Sequence, residues 1–189
     1  KVSLNTGIYY RHTEDVIERI TIVEDNVSIT TPQNLGSSDA TGLELNMKYE
    51  PFKLLTISAD LNYNIFAREG NLNDQNFDFN AQNWTGRLNT KISPSKALDL
   101  ELSLSNDSAI ETVQGERDAM TWIDGGIRYK IDKGKLVLGA NVRDAFVGRR
   151  RITTAEGPNF YRESEQYRGR FFTINISYGF GTGEAMQYT

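Results

Sequence analysis

The chain has 189 residues, 38% of them hydrophobic and 11% aromatic, with a formal charge of -4. It has no Cys and one His, His12, which excludes disulfides, thiolate catalysis, zinc–thiolate centres and His-rich metal sites. No run of ~18 apolar residues offers a membrane-crossing helix, and the acidic balance argues against nucleic acid as a partner.

Lys1 is followed at once by an alternating stretch. The chain is therefore expected to begin inside or at the edge of a strand, as a processed or truncated product would. Eight segments place apolar residues at every second position, the period of a strand with two unlike faces. In chain order their apolar residues begin with Val2, Leu4, Ile8, Tyr10; then Leu43, Leu45, Met47, Tyr49; then Leu55, Ile57, Ala59, Leu61, Tyr63. Trp84, Leu88, Ile92 follow, then Leu98, Leu100, Leu102, Leu104, then Ile123, Ile127, Tyr129, Ile131. The last two series are Leu136, Leu138, Ala140, Val142 and Phe172, Ile174, Ile176, Tyr178, Phe180. Helical periodicity has little support, so the chain reads as all-β, with an antiparallel barrel segment over residues 1–180 and a C-terminal tail over 181–189.

Connection length alternates along the chain. Residues 50–53, 93–97 and 132–134 are short turns, whereas 14–40, 68–83, 107–119 and 147–169 are long polar stretches. An outer-membrane barrel sorts its connections this way, with short periplasmic turns and long outer loops. Aromatic placement agrees. With strand directions set by the turns, Tyr10, Tyr63, Trp84, Phe146 and Phe172 fall at loop ends. Tyr49, Tyr129, Tyr178 and Phe180 fall at turn ends. Aromatic residues collect at membrane interfaces, and a strand from Phe172 to Phe180 rises ~26 Å before tilting, close to the height of a barrel's apolar band. The leucines of 98–104 therefore point to lipid. Glu44, Lys48, Asp60, Asn62, Arg87, Lys91, Asp99, Glu101, Asp124, Arg128 and Arg143 point to the lumen. Asp124, Arg128 and Arg143, on neighbouring strands, are either pore-lining or paired within the wall.

Several motifs resemble the C-terminal barrel third of TonB-dependent outer-membrane receptors of the Bacteroidetes type. "NLGSSDATGLELNMKYEP" (34–51) is similar to the family's segment descending from an outer loop, and "LTISADLNYN" (55–64) to the outward strand after it. "LVLGANVRDAF" (136–146) resembles the penultimate strand, with Asn141 and Asp144-Ala145-Phe146 in its N-x-x-D-x-F ending. "RGRFFTINISYGF" (168–180) resembles the closing strand. The resemblance implies a barrel of about 22 strands, of which these are the last eight. It also implies a plug domain and TonB as partners, and active uptake of a scarce solute such as an iron chelate, an oligosaccharide or a peptide. The tail after Phe180 departs from the family pattern.

Candidate sites lie in the long stretches. Asp74, Asn76 and Asp78 alternate as in a calcium loop, but Phe79 stands where Gly is required and no Glu closes the loop. Phe77 and Phe79 either contact a ligand or extend their strand. Arg149, Arg150, Tyr161 and Tyr167 belong to an Arg/Tyr cluster suited to an anion, or to salt bridges with Glu156, Glu163 and Glu165. His12, at an outer strand end, reads as solvated. No nucleophile–base set or paired catalytic carboxylate stands out, so neither an enzyme nor a cofactor or metal site is expected. Two architectures remain open: a section of a larger receptor barrel, or a complete eight-stranded barrel with a structural or adhesion role. Pairing of strand 2–10 with strand 172–180 distinguishes them.

Overall fold

A computed structural model describes residues 1–34, 36–72 and 75–180. The alternating segments become the long strands of one sheet. In chain order the strands are β1 (Val2–Thr13), β2 (Ile17–Glu24), β3 (Val27–Asn34), β4 (Gly36–Phe52), β5 (Leu55–Leu72), β6 (Gln75–Ile92) and β7 (Leu98–Asp107). They continue as β8 (Ile110–Thr112), β9 (Gly115–Arg117), β10 (Met120–Ile131), β11 (Leu136–Arg143), β12 (Arg150–Gly157), β13 (Phe160–Tyr167) and β14 (Phe171–Tyr178).

Eight of these form a single up-and-down sheet, β1-β4-β5-β6-β7-β10-β11-β14, antiparallel at every step. The sheet is open. Among the described residues β1 pairs with β4 alone and β14 with β11 alone. The tail 181–189 lies outside the described residues.

Register carries the alternation across strands. One row runs Val2, Tyr49, Ile57, Thr90, Leu102, Gly125, Val142, Phe172. The row beside it on the other face runs Ser3, Lys48, Ser58, Asn89, Ser103, Asp124. A one-residue slip at any pair would mix the faces, and none occurs through these rows. Burial is reversed relative to a soluble sheet. Leu102 and Ile174 are 53% and 81% exposed, while Asp99 and Ser105 on the opposite face are each 3% exposed. Apolar groups so placed lose the hydrophobic contribution in water and regain it only in a nonpolar medium.

The long stretches read as loops are paired strands for the most part. β2 and β3 form a hairpin, and β13-β12-β9-β8 form a second sheet. The β2–β3 turn places Asp25 and Asn26 at φ 49° and 63°, the two left-handed residues of a type I′ hairpin turn. In β3 the alternation stops after Val27 and Ile29 and polar residues follow to Asn34, so it is too short to mark a strand. β5 and β6 pair without a break from Leu55↔Ile92 to Leu72↔Gln75. Eighteen residues rise ~58 Å, or ~45 Å after a ~40° tilt, against an apolar band of ~25 Å. The outer part of this hairpin therefore stands well clear of the band.

Candidate functional site

The polar face is a wall of charges with specific partners. Asp99 accepts from Ser93 Oγ at 2.7 Å and lies 2.8 Å from Lys130 Nζ and 3.7 Å from Lys91 Nζ. Two cations around one buried carboxylate offset its desolvation and tie β6, β7 and β10 together. Glu101 and Arg128 are 3.8 Å apart. Glu44, Lys48, Asp60, Asn62, Arg87, Lys91, Asp124 and Arg143 occupy the same face by register.

Asp124, Arg128 and Arg143 do not form a common set. Asp124 pairs with Arg149, whose Nη2 is 2.6 Å from Oδ2, and accepts the Asp144 N–H at 2.7 Å. Arg143 is exposed and makes no ion pair among the described residues. What draws Arg149 to Asp124 is a corner after β11. Asp144 is fully buried, and its carboxylate accepts from the N–H groups of Gly148 at 2.6 Å and Arg149 at 3.0 Å. A Cβ on Gly148 would stand 1.9 Å from the Thr121 carbonyl oxygen, so only glycine fits there. The corner lays Arg149 over the Trp122 ring, 4.9 Å from its centroid, a cation–π contact.

The outer extension of the same face is aromatic. Phe66, Phe77 and Phe79 share it by parity, with ring centroids 6.3 Å apart for Phe66–Phe79 and 6.2 Å for Phe77–Phe79. Arg68 lies 4.8 Å over Phe66 and forms an ion pair with Glu18 of β2. The β2–β3 hairpin thus folds over the polar side of the sheet. Its far edge is held by Gln114, between β8 and β9, which bonds both the N–H and the C=O of Thr21. Phe66, Arg68, Glu18, Gln114 and Trp122 were not singled out from the sequence. The available signal was parity: Phe66 and Trp122 are large aromatics on the polar side of their strands.

Other candidates separate. Asn76 and Asp78 stand opposite Asn71 and Glu69 in the β5–β6 ladder, and Asp74 lies outside the described residues. Arg150 is 2.6 Å from Glu165, as in the salt-bridge reading. Tyr161 and Tyr167 are exposed on β13 and apart from Phe77 and Phe79, which β6 carries. His12 is not simply solvated. Two residues beyond Tyr10, its Nδ1 is 2.9 Å from Asp39 and its Nε2 is 3.7 Å from Glu14. Tyr10 donates to the same Asp39 oxygen. The Asp39 hydrogen bond raises the His12 pKa above its ordinary value, and the bonds from Tyr10 and His12 lower that of Asp39.

On the other face, Tyr63 pairs directly with Trp84, and Val142 with Phe172, at the loop end. Tyr129 pairs with Leu138, and Tyr178 with Leu136, at the turn end. Aliphatic rows lie between. A charged face backed by an apolar face rimmed with aromatics is the wall of a transmembrane β-barrel. The chain belongs to the outer membrane protein beta-barrel family, whose model matches residues 1–178, and it resides in the bacterial outer membrane with its apolar face against lipid. No curated protein and no solved structure matches it.

Proposed function

We propose that the chain is a wall section of a TonB-dependent receptor, a barrel of about 22 strands that takes up a scarce solute: an iron chelate, an oligosaccharide or a peptide. Its role is transport and not catalysis. The observation that carries the reading is the pair of free edges. Among the described residues, β1 and β14 each leave one row of main-chain N–H and C=O groups without a strand partner, and hydrocarbon supplies no substitute. Further strands would complete the wall. Asp99, Glu101, Asp124, Arg128 and Arg143 then face the lumen and a plug domain, which TonB moves. Phe77 and Phe79 stand in the outer vestibule. Arg149 and Arg150 have a structural role there because each already holds a carboxylate, and Tyr161 and Tyr167 remain free for a solute.

The test has two parts. In the outer membrane, cysteine pairs scanned between residues 3–11 and 171–177 should form no intramolecular disulfide. A regular ladder of such disulfides means a closed eight-stranded barrel and overturns the reading. In cells, deletion of the gene should abolish accumulation of one solute class, and an uncoupler should do the same to the parent strain. Accumulation that persists with the uncoupler also overturns it.

A further inference from the structure

Trp122 is out of place by composition. It is a large indole on the charged face of β10, directly opposite Ser105, which is itself opposite Arg87. The row continues through Asp60 to Asn46. Ser105 is small and buried at the floor, and the next large side chain from Trp122 is Arg87, two strand spacings or ~10 Å away. Over this row lies a hollow of about 370 Å³, walled by Trp122, Arg87, Asp60, Asn46, Asn62 and Glu44 among others.

The indole is held in place from one side. Arg149 lies across it and is in turn fixed by Asp124 and by the Asp144 corner. The polar groups around it are mixed: three carboxylates (Glu44, Asp60 and Asp107, the last paired with Arg151 at 3.0 Å), two amides and a guanidinium. Asn62 already donates to Glu44 at 3.1 Å and accepts from the Tyr9 hydroxyl at 3.3 Å. Asp60 and Arg87, though opposite each other in register, form no ion pair among the described residues. An acceptor and a five-donor fork therefore line the same hollow as a flat apolar platform, two to three strands away from it and each with hydrogen-bonding capacity to spare.

We infer that this hollow is a saccharide subsite. An oligosaccharide can lay the apolar C–H face of one pyranose on the aromatic ring while the hydroxyls of the next, which both donate and accept, meet Arg87 and Asp60 across the strands. A cationic ligand would suit the carboxylates but would meet Arg87. An anionic ligand would suit Arg87 but would meet Asp60 and Glu44. A neutral polyhydroxylated ring meets no like charge. The inference rests on the uptake reading and names the solute class that the wall would handle.

The protein, purified from outer membranes in detergent micelles, is titrated with maltohexaose, cellohexaose, xylohexaose and laminarihexaose at up to millimolar concentration. The readouts are tryptophan fluorescence and calorimetry. At least one saccharide is expected to bind. Trp122→Ala and Asp60→Asn are each expected to weaken it about tenfold, and Trp122→Phe is expected to restore most of the loss. Trp84→Phe, on the lipid side, should leave binding unchanged. Unaltered heat-modifiable gel migration shows that each variant is folded. Binding by none of the four, binding that survives both Trp122→Ala and Asp60→Asn, or tighter binding of tetraethylammonium overturns the inference. Uptake is judged separately in cells. Uncoupler-sensitive accumulation of a ferric hydroxamate or a peptide, with no saccharide accumulated, sinks the saccharide subsite and leaves the transport reading standing. Saccharide binding in micelles without energised accumulation of any solute does the reverse.

Discussion

Gln114 acts toward Thr21 as a neighbouring strand would. Its Oε1 accepts the Thr21 N–H at 2.7 Å, and its Nε2 donates to the Thr21 C=O at 2.9 Å. Thr21 is buried and on the edge of β2 that β3 leaves free. A two-stranded hairpin is marginal alone, so this clasp and the Glu18–Arg68 ion pair keep β2–β3 folded over the polar side. Gln114→Ala should cost the hairpin about 1–2 kcal/mol of local stability. Hydrogen exchange at Thr21 should speed up by roughly the matching factor of ten, with β5 and β6 unchanged. Unaltered exchange at Thr21 would show that the hairpin holds without the clasp.

Leu102 sits mid-strand on the lipid face, between Thr90 and Gly125. Leu102→Arg should lower stability in lipid vesicles by ~2–4 kcal/mol, the cost of a basic side chain near the bilayer midplane. Ser103→Arg, one residue on and on the polar face, should cost far less. Urea unfolding of both variants separates the faces. Equal costs would mean the face assignment is wrong.

Gly148→Ala should break the corner after β11. The added methyl would meet the Thr121 carbonyl at 1.9 Å, so main chain must move, at ~1–3 kcal/mol or more. Arg149 should then leave the Trp122 ring, and Trp122 emission should shift to the red. A variant with wild-type emission and unfolding midpoint would show that the corner tolerates a side chain.

His12 is the single histidine of the chain, so its ring protons report one site. The Asp39 carboxylate raises its pKa and is itself held low. The raised His12 pKa adds stability that is fully present below the ordinary imidazole value of ~6.5 and lost as pH rises through the folded-state value. The lowered Asp39 pKa adds stability that is present above the ordinary carboxylate value and lost as pH falls through its own. The pair thus supports the strand end best in mildly acidic medium. NMR titration should place the His12 midpoint above ~6.5, and Asp39→Asn should bring it down. A midpoint unmoved by Asp39→Asn would exclude the pairing, leaving Glu14 as the alternative partner.

Alternation is a local property, and it was enough to find the eight long strands, their antiparallel order and the two faces. Leu98 to Leu104 sort from Asp99 to Ser105 because adjacent side chains of a strand point oppositely, whatever the strand pairs with. Connection length and aromatic ends then indicated which face meets lipid. The β2–β3 hairpin is not legible in this way because the alternation of β3 ends after Val27 and Ile29, and Trp122 and Phe66 are not because each lies beside an apolar neighbour, Ile123 or Ile65, that carries the periodic signal. Partnerships needed the folded chain. Asp124 meets Arg149 and not Arg143 because a buried Asp144 turns the main chain back. Gln114 meets Thr21, 93 residues away, because two hairpins arch toward each other over the sheet. Such contacts depend on where strands end and how the sheet curves, and no short-range pattern encodes either.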